Sequence, residues 1–345
     1  MKKLFTLLLL FICSFNYAQT VKLNIDANCI IFNTFYDKAF VTVKEKDSIY
    51  PNSLIQLNPY YGMVEKHMSL SDVPKSIKLT PDNKHLYLSY QTLSQIEKVD
   101  LAEFKIVETI NVGGLNVMDF AVLPTNENTL IICNGAKVVM YKNGILQPKQ
   151  VSSGIDHLSA ICIKNDGSKF YAHNGISTGY EGHIMNIVDD GIEYNGIIWN
   201  YMIPSFGYIK SHNDLIYNEF GDVIDAFSDS IPIIKASMPV NRIVRWRSGF
   251  EYSDIHGCYV FGHDNQYKAY ISFFDGQYFN YLGSIDLGIP CDIVYDLAVV
   301  DVNHFMLIAL GYWEAKNSIL LYTGTKSKSM IQLKPKINTL RQSGH

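Results

Sequence analysis

The stretch "SIKLTPDNKHLYLSYQT", residues 76–92, decides the architecture. "SIKL" and "HLYLSY" are short runs in which apolar and polar residues alternate, the period of a half-buried strand. Between them lie Pro81, Asp82 and Asn83. Proline pre-sets φ, and the short polar side chains bond their own backbone and tolerate the left-handed region. The stretch predicts a hairpin: strand, tight turn, strand.

It is one of seven. Similar units are "IIFNTFYDKAFVTV", "DFAVLPTNENTLIICN", "SAICIKNDGSKFYAHNG", "FGYIKSHNDLIYNEFG", "FEYSDIHGCYVFGHD" and "LAVVDVNHFMLIALG". The first apolar residue after each turn is Phe40, Leu86, Leu130, Phe170, Leu215, Tyr259 and Phe305, in steps of 40 to 46 residues. A strand-built repeat of about 40–50 residues marks propeller blades. In the second unit "QIEKVDL" supplies a third strand and "KIVETINV" a fourth. Elsewhere "YKNG", "VDDG" and "FFDG" place Asn-Gly or Asp-Gly pairs between third and fourth strands, a strong hairpin signal. No window shows helical periodicity with caps. The expectation is an all-β chain: a seven-bladed β-propeller of four-stranded antiparallel blades around a central channel. The first and last units must meet to close the ring. The strands expected there are residues 29–32 and a segment near "SMIQLKPK" (329–336), with "VKLNI" (21–25) helping.

The chain opens "MKKLFTLLLLFICSFNYAQT". Two lysines, an apolar run over residues 4–15, and Ala18 before Gln19 follow the order of a cleavable secretory leader. The run falls short of the ~20 residues that span a bilayer, which argues against a retained anchor. Cys13 is preceded by Ile12, where lipoprotein processing wants a small residue, so a lipidated cysteine is rejected. The expected organisation is a leader over 1–18 and a single propeller domain over 19–345. The protein is expected to be exported, periplasmic or secreted, with no membrane span after leader removal. A net charge of −4 gives no electrostatic reason to expect nucleic acid or an anionic membrane surface. Past the leader, Cys29, Cys133, Cys162, Cys258 and Cys291 read as buried free thiols, with one bridge between neighbouring strands as the alternative. No CxxC or Cys/His spacing suggests zinc.

The segments "LTPDNK", "KNDGSK" and "KVDLAEFKIVETINVG" resemble the YVTN-type seven-bladed propeller repeat. The similarity is good over residues 54–175 and loose afterwards. It implies the same fold and an exported or cell-surface protein that binds other macromolecules. It carries no catalytic residues to transfer.

Sequence-local enzyme motifs are absent: there is no Gly-x-x-x-x-Gly-Lys, Gly-x-Ser-x-Gly or His-Glu-x-x-His. Candidate ligand-binding residues follow from topology. Loops leading into first strands and loops joining second to third strands share one face. The first set brings Lys75, Asp119, His157, Arg242, Arg245, Asp292 and Asp296; the second brings His173, Glu181, His183, Glu219, His263, Asp264, Trp313 and Glu314. The aromatic residues Tyr180, Tyr267, Tyr312 and Trp313 suit partner anchoring, with packing between blades as the plainer alternative. Arg242, Arg245 and Arg247 around Trp246 form the compact basic cluster, suited to a ligand carboxylate or phosphate or to internal pairing with acids. For each of these residues the plainer alternative is a solvated loop or a structural hydrogen bond. The reading is a binding or scaffold module for a protein, glycan or small molecule, with no cofactor. Its rival is a lactonase-like propeller hydrolase using a divalent cation at the channel mouth. Three or more of His157, His173, His183, Glu219, His263, Asp292 and Asp296 within metal-ligand reach would favour the rival.

Overall fold

A computed structural model of the chain describes residues 18–113, 117–134, 137–152, 158–174, 182–198, 209–227, 233–238, 249–312 and 314–324. Seven four-stranded antiparallel sheets form a seven-bladed propeller. Blades 1 to 6 span residues 27–69, 74–111, 119–146, 158–198, 209–237 and 249–290. Each runs from an inner strand at the axis, through second and third strands, to an outer one. Blade 7 takes its inner three strands from residues 293–323 and its outer strand from Gln19–Leu23. That closing strand pairs antiparallel with Asn317–Thr323, Val21 opposite Leu321. "QTVKL" is thus the closing element, overlapping the expected "VKLNI" at residues 21–23; the segment 329–336 lies outside the described residues, as does the leader through residue 17.

All seven marker residues fall in second strands, which is why their spacing measures the blade. The turns behave as their residues require. Asn83 has φ 59°, and the pair Asn143–Gly144 has φ 51° and 73°, the two positive values of a tight hairpin turn.

Alternation along the strands builds the core. In His85–Tyr90, Leu86, Leu88 and Tyr90 face blade 1, where they pack with Phe40 and Leu54. Tyr87, between them, faces blade 3 and packs with Phe120 and Leu130. One buried apolar cluster fills each of the seven junctions between neighbouring blades. Every blade is therefore sealed on both faces, and stability is shared round the ring rather than held in one centre. The five cysteines of the described chain are free. Cys133, Cys162, Cys258 and Cys291 are buried in these clusters or beside them.

Candidate functional site

Inner strands carry a feature that residue spacing did not reveal. In blades 1, 2, 4 and 7 each has a register shift near its start: between Ala27 and Cys29, Pro74 and Ser76, Leu158 and Ala160, Val294 and Asp296. A bulge of this kind leaves one residue unpaired and re-aims its neighbours. The side chains around it reach the next blade. Asn28 Nδ2 donates to Pro74 O at 2.8 Å, and Lys75 Nζ donates to Val117 O at 2.8 Å. Where the side chain is acidic the direction reverses. The N–H groups of Ile161, Val299 and Ile30 donate to Asp119, Glu251 and Asp296, each at 3.0 Å. Among the described residues, five of the seven junctions are clasped in this way at the axis.

The same residues make the channel ionic. Lys78 Nζ lies 3.7 Å from Asp119 Oδ1, and Lys210 Nζ lies 3.9 Å from Asp296 Oδ1. Lys210 also sits over the Phe250 ring. Asp119 beside it pushes the Lys78 ammonium up, against burial, and Lys78 also feels Cys162, Cys29 and Asp296. Those partners come from blades 1, 3, 4 and 7, so the ammonium lies near the axis. Burial pushes the Glu251 carboxyl up, with Lys210 and the Val299 N–H opposing. Lys78 and Lys210 keep 39 % and 40 % of their side-chain surface accessible, so both stems are only partly covered by their neighbours. Asp119 spends Oδ2 on the Ile161 N–H and turns Oδ1 toward Lys78, whereas Asp296 accepts from Ile30 N at Oδ2 and from Leu297 N at Oδ1, the oxygen that also faces Lys210.

The loop candidates are placed differently from expectation. His173 and His183 lie inside strands Lys169–Asn174 and Gly182–Val188, and His263 and Asp264 inside Cys258–Asn265. All four are buried, as is Glu219. The physical reason is that strands extend further toward this face than the polar composition of their ends suggested. His263 is hydrogen-bonded within its own blade, Nε2 to Ser272 Oγ at 2.7 Å and Nδ1 to Asp264 O at 3.1 Å. His183 Nδ1 meets the Tyr194 hydroxyl at 3.3 Å. Burial pulls His183 down to about 4 and lowers His263 too, so both imidazoles are neutral at physiological pH. Asp292 lies just before the inner strand of blade 7, and Asp296 within it. Among the described residues, no three of His173, His183, Glu219, His263, Asp292 and Asp296 bring ligand atoms within 4.8 Å of one another. His157, Tyr180, Glu181, Arg242, Arg245, Trp246, Arg247 and Trp313 lie outside the described residues.

On the face of the second-to-third loops, Tyr267 of blade 6 and Tyr312 of blade 7 meet with ring centroids 4.6 Å apart. They keep 41 % and 39 % of their surface exposed, and Ile49 on the equivalent loop of blade 1 keeps 68 %. Lys316 Nζ donates to Lys46 O and ties the blade 7 and blade 1 loops together. Burial pushes the Cys29 and Cys162 thiols up to about 12, which makes them poor nucleophiles. No protein-family model matches the chain, and a search of curated proteins finds no similar one.

Proposed function

We propose that this propeller is an exported binding module that takes a protein partner on the face where the second-to-third loops emerge. The observation that carries the reading is the Tyr267–Tyr312 contact, two exposed aromatic rings bridging blades 6 and 7. Tyrosines supply large contact area with little entropy to lose, and interfaces are enriched in them. The channel charges, by contrast, are engaged in holding inner strands together. We also assign the repeat to the YVTN type. Supporting this, "KVDLAEFKIVETINVG" spans the third and outer strands of blade 2, Gln95–Asp100 and Lys105–Asn111. "LTPDNK" and "KNDGSK" fall at turns between inner and second strands.

Export fits the placement of the closing strand. Gln19–Leu23 begins at the residue immediately after the expected cleavage point, so processing would leave it as the free leading end of the chain. Sequencing the amino terminus of the protein from its own cells tests this: Gln19 is expected first, and an intact Met1 would sink the export reading. The partner is tested by capture from the exported protein fraction with wild type, a Tyr267→Ala/Tyr312→Ala variant, and Phe35→Ser on the opposite face. A species lost only with the tyrosine variant supports the proposal. One lost only with Phe35→Ser places binding on the wrong face and overturns it.

A further inference from the structure

Away from the channel and from the tyrosine face, Asp82, His85 and Glu127 bring metal-ligating atoms within 4.8 Å of one another, the one such group among the described residues. Asp82 lies in the "TPDNK" turn of blade 2, His85 opens the second strand of that blade, and Glu127 lies in the second strand of blade 3. The group therefore bridges two blades on the face of the inner-to-second turns.

Its surroundings are fixed. Thr80 Oγ1 donates to Asp82 Oδ1 at 2.6 Å, and Lys84 N donates to the same oxygen at 3.0 Å, which leaves Oδ2 for another partner. Asn33 Nδ2 holds the turn from blade 1 by donating to Asn83 O at 2.8 Å. The Tyr87 hydroxyl donates to Glu127 O at 3.1 Å and sets the backbone there. A carboxylate oxygen of Asp82 and one of Glu127 lie within 4.8 Å of each other and of an imidazole nitrogen of His85, so two groups that are anionic in water share one place. A cation held between the two carboxylates would offset their mutual repulsion. The imidazole supplies the third ligand. His85 Nε2 faces the Asp100 carboxylate at 3.9 Å, whereas Nδ1 is buried with no hydrogen-bond partner. A ring with one nitrogen toward a carboxylate and a lone pair left on the other is arranged as metal-bound histidines are.

We infer that Asp82, His85 and Glu127 form a binding site for a divalent transition-metal cation of the Zn2+ class, stapling blade 2 to blade 3. Two carboxylate oxygens and one imidazole nitrogen make three protein ligands, leaving a fourth tetrahedral position for water. Imidazole in the set selects against Ca2+ and Mg2+, which take oxygen ligands. All three residues are partly exposed, so an ion can enter from solvent.

The test is titration of the full mature chain, stripped with chelator, with Zn2+ by calorimetry and with Co2+ by visible absorption. The outcome expected is one equivalent bound, a Co2+ spectrum of tetrahedral type, and a higher melting temperature with Zn2+. His85→Gln and Glu127→Gln, made separately so that one misfolded variant does not decide the matter, each lose that equivalent. Asp100→Asn weakens it about 10–100-fold through the ring orientation. No binding by wild type, binding that persists in both Gln variants, or a preference for Ca2+ over Zn2+ would overturn the inference.

Discussion

His183 shows how a titratable residue reports its surroundings. Fully buried beside Tyr194, it is held down to about 4. In the unfolded chain it regains a value near 6.5. Because the folded value is depressed, the unfolded state binds the extra proton between these limits. Stability is whole above about pH 6.5 and is lost as pH falls toward 4. For this one group the loss between pH 7 and pH 5 is about 2 kcal/mol. Denaturant unfolding at the two pH values should show this, and His183→Gln should remove about that much of the difference; an unchanged difference would refute the burial argument. The sequence hid this residue's situation. "AHNGISTGYEGH" reads as a loop because glycine and polar residues dominate it. Its two histidines nevertheless fall on the strands that bracket the segment, His173 next to last and His183 second. Polar strand ends carry no signal that distinguishes burial between blades from exposure on a rim. Lys78 and Lys210 carry no sequence signal for a related reason, since an inner-strand lysine looks like any solvated lysine until the ring is assembled.

Strands and turns were more legible, because their signals are local. Turn residues such as Asn83 and Gly144 declare themselves, and alternation around Leu86 gives the faces. The bulges near Asn28 and Lys75 gave no such sign, because a bulge changes register without changing residue type. Close approaches between elements are equally silent. Gly249 in the inner strand of blade 6 has no room for a side chain: a Cβ would lie 2.3 Å from the Asp296 carbonyl carbon and 2.6 Å from its Cα. Backbone of the neighbouring inner strand would have to move. At Gly262 the nearest obstacle is the Leu307 Cδ2 at 2.8 Å, the end of a flexible side chain. Gly249→Ala should cost at least the ~1–3 kcal/mol typical of overpacking and disturb the Ile30–Asp296 clasp, whereas Gly262→Ala should cost clearly less. Chemical denaturation of the two variants side by side decides it; equal losses would mean that the inner strands are not in rigid contact.

The whole molecule is held shut by contacts nearly the length of the chain apart. Besides the Gln19–Leu23 pairing, Asn317 N donates to Asp26 Oδ1 at 3.0 Å and Asn317 Nδ2 donates to Ala27 O at 2.8 Å, while Lys22 pairs with Glu314. Without the closing strand, Asn317–Thr323 would become an unpaired edge carrying Ile319, Leu320 and Leu321, the kind of edge that recruits other chains. Closure also joins blade 7 to blade 1 through the cluster around Ile308, Ile319, Val41 and Ile55. Such distant contacts make loop closure costly and favour late formation of this junction in folding. A chain lacking residues 19–23 should therefore melt at a lower temperature, lose a single cooperative transition and aggregate. Adding the peptide "QTVKLNID" should restore part of the stability by strand addition, since the vacant edge offers the same backbone pairing. Substituting Asn317 by Ala, which removes the Nδ2–Ala27 bond and keeps the backbone N–H donation to Asp26, should cost about 1–3 kcal/mol and leave the ring closed. If the truncated chain instead melts as the intact one does, the seventh blade does not depend on its borrowed strand, and closure must reside in the inner-strand clasps alone.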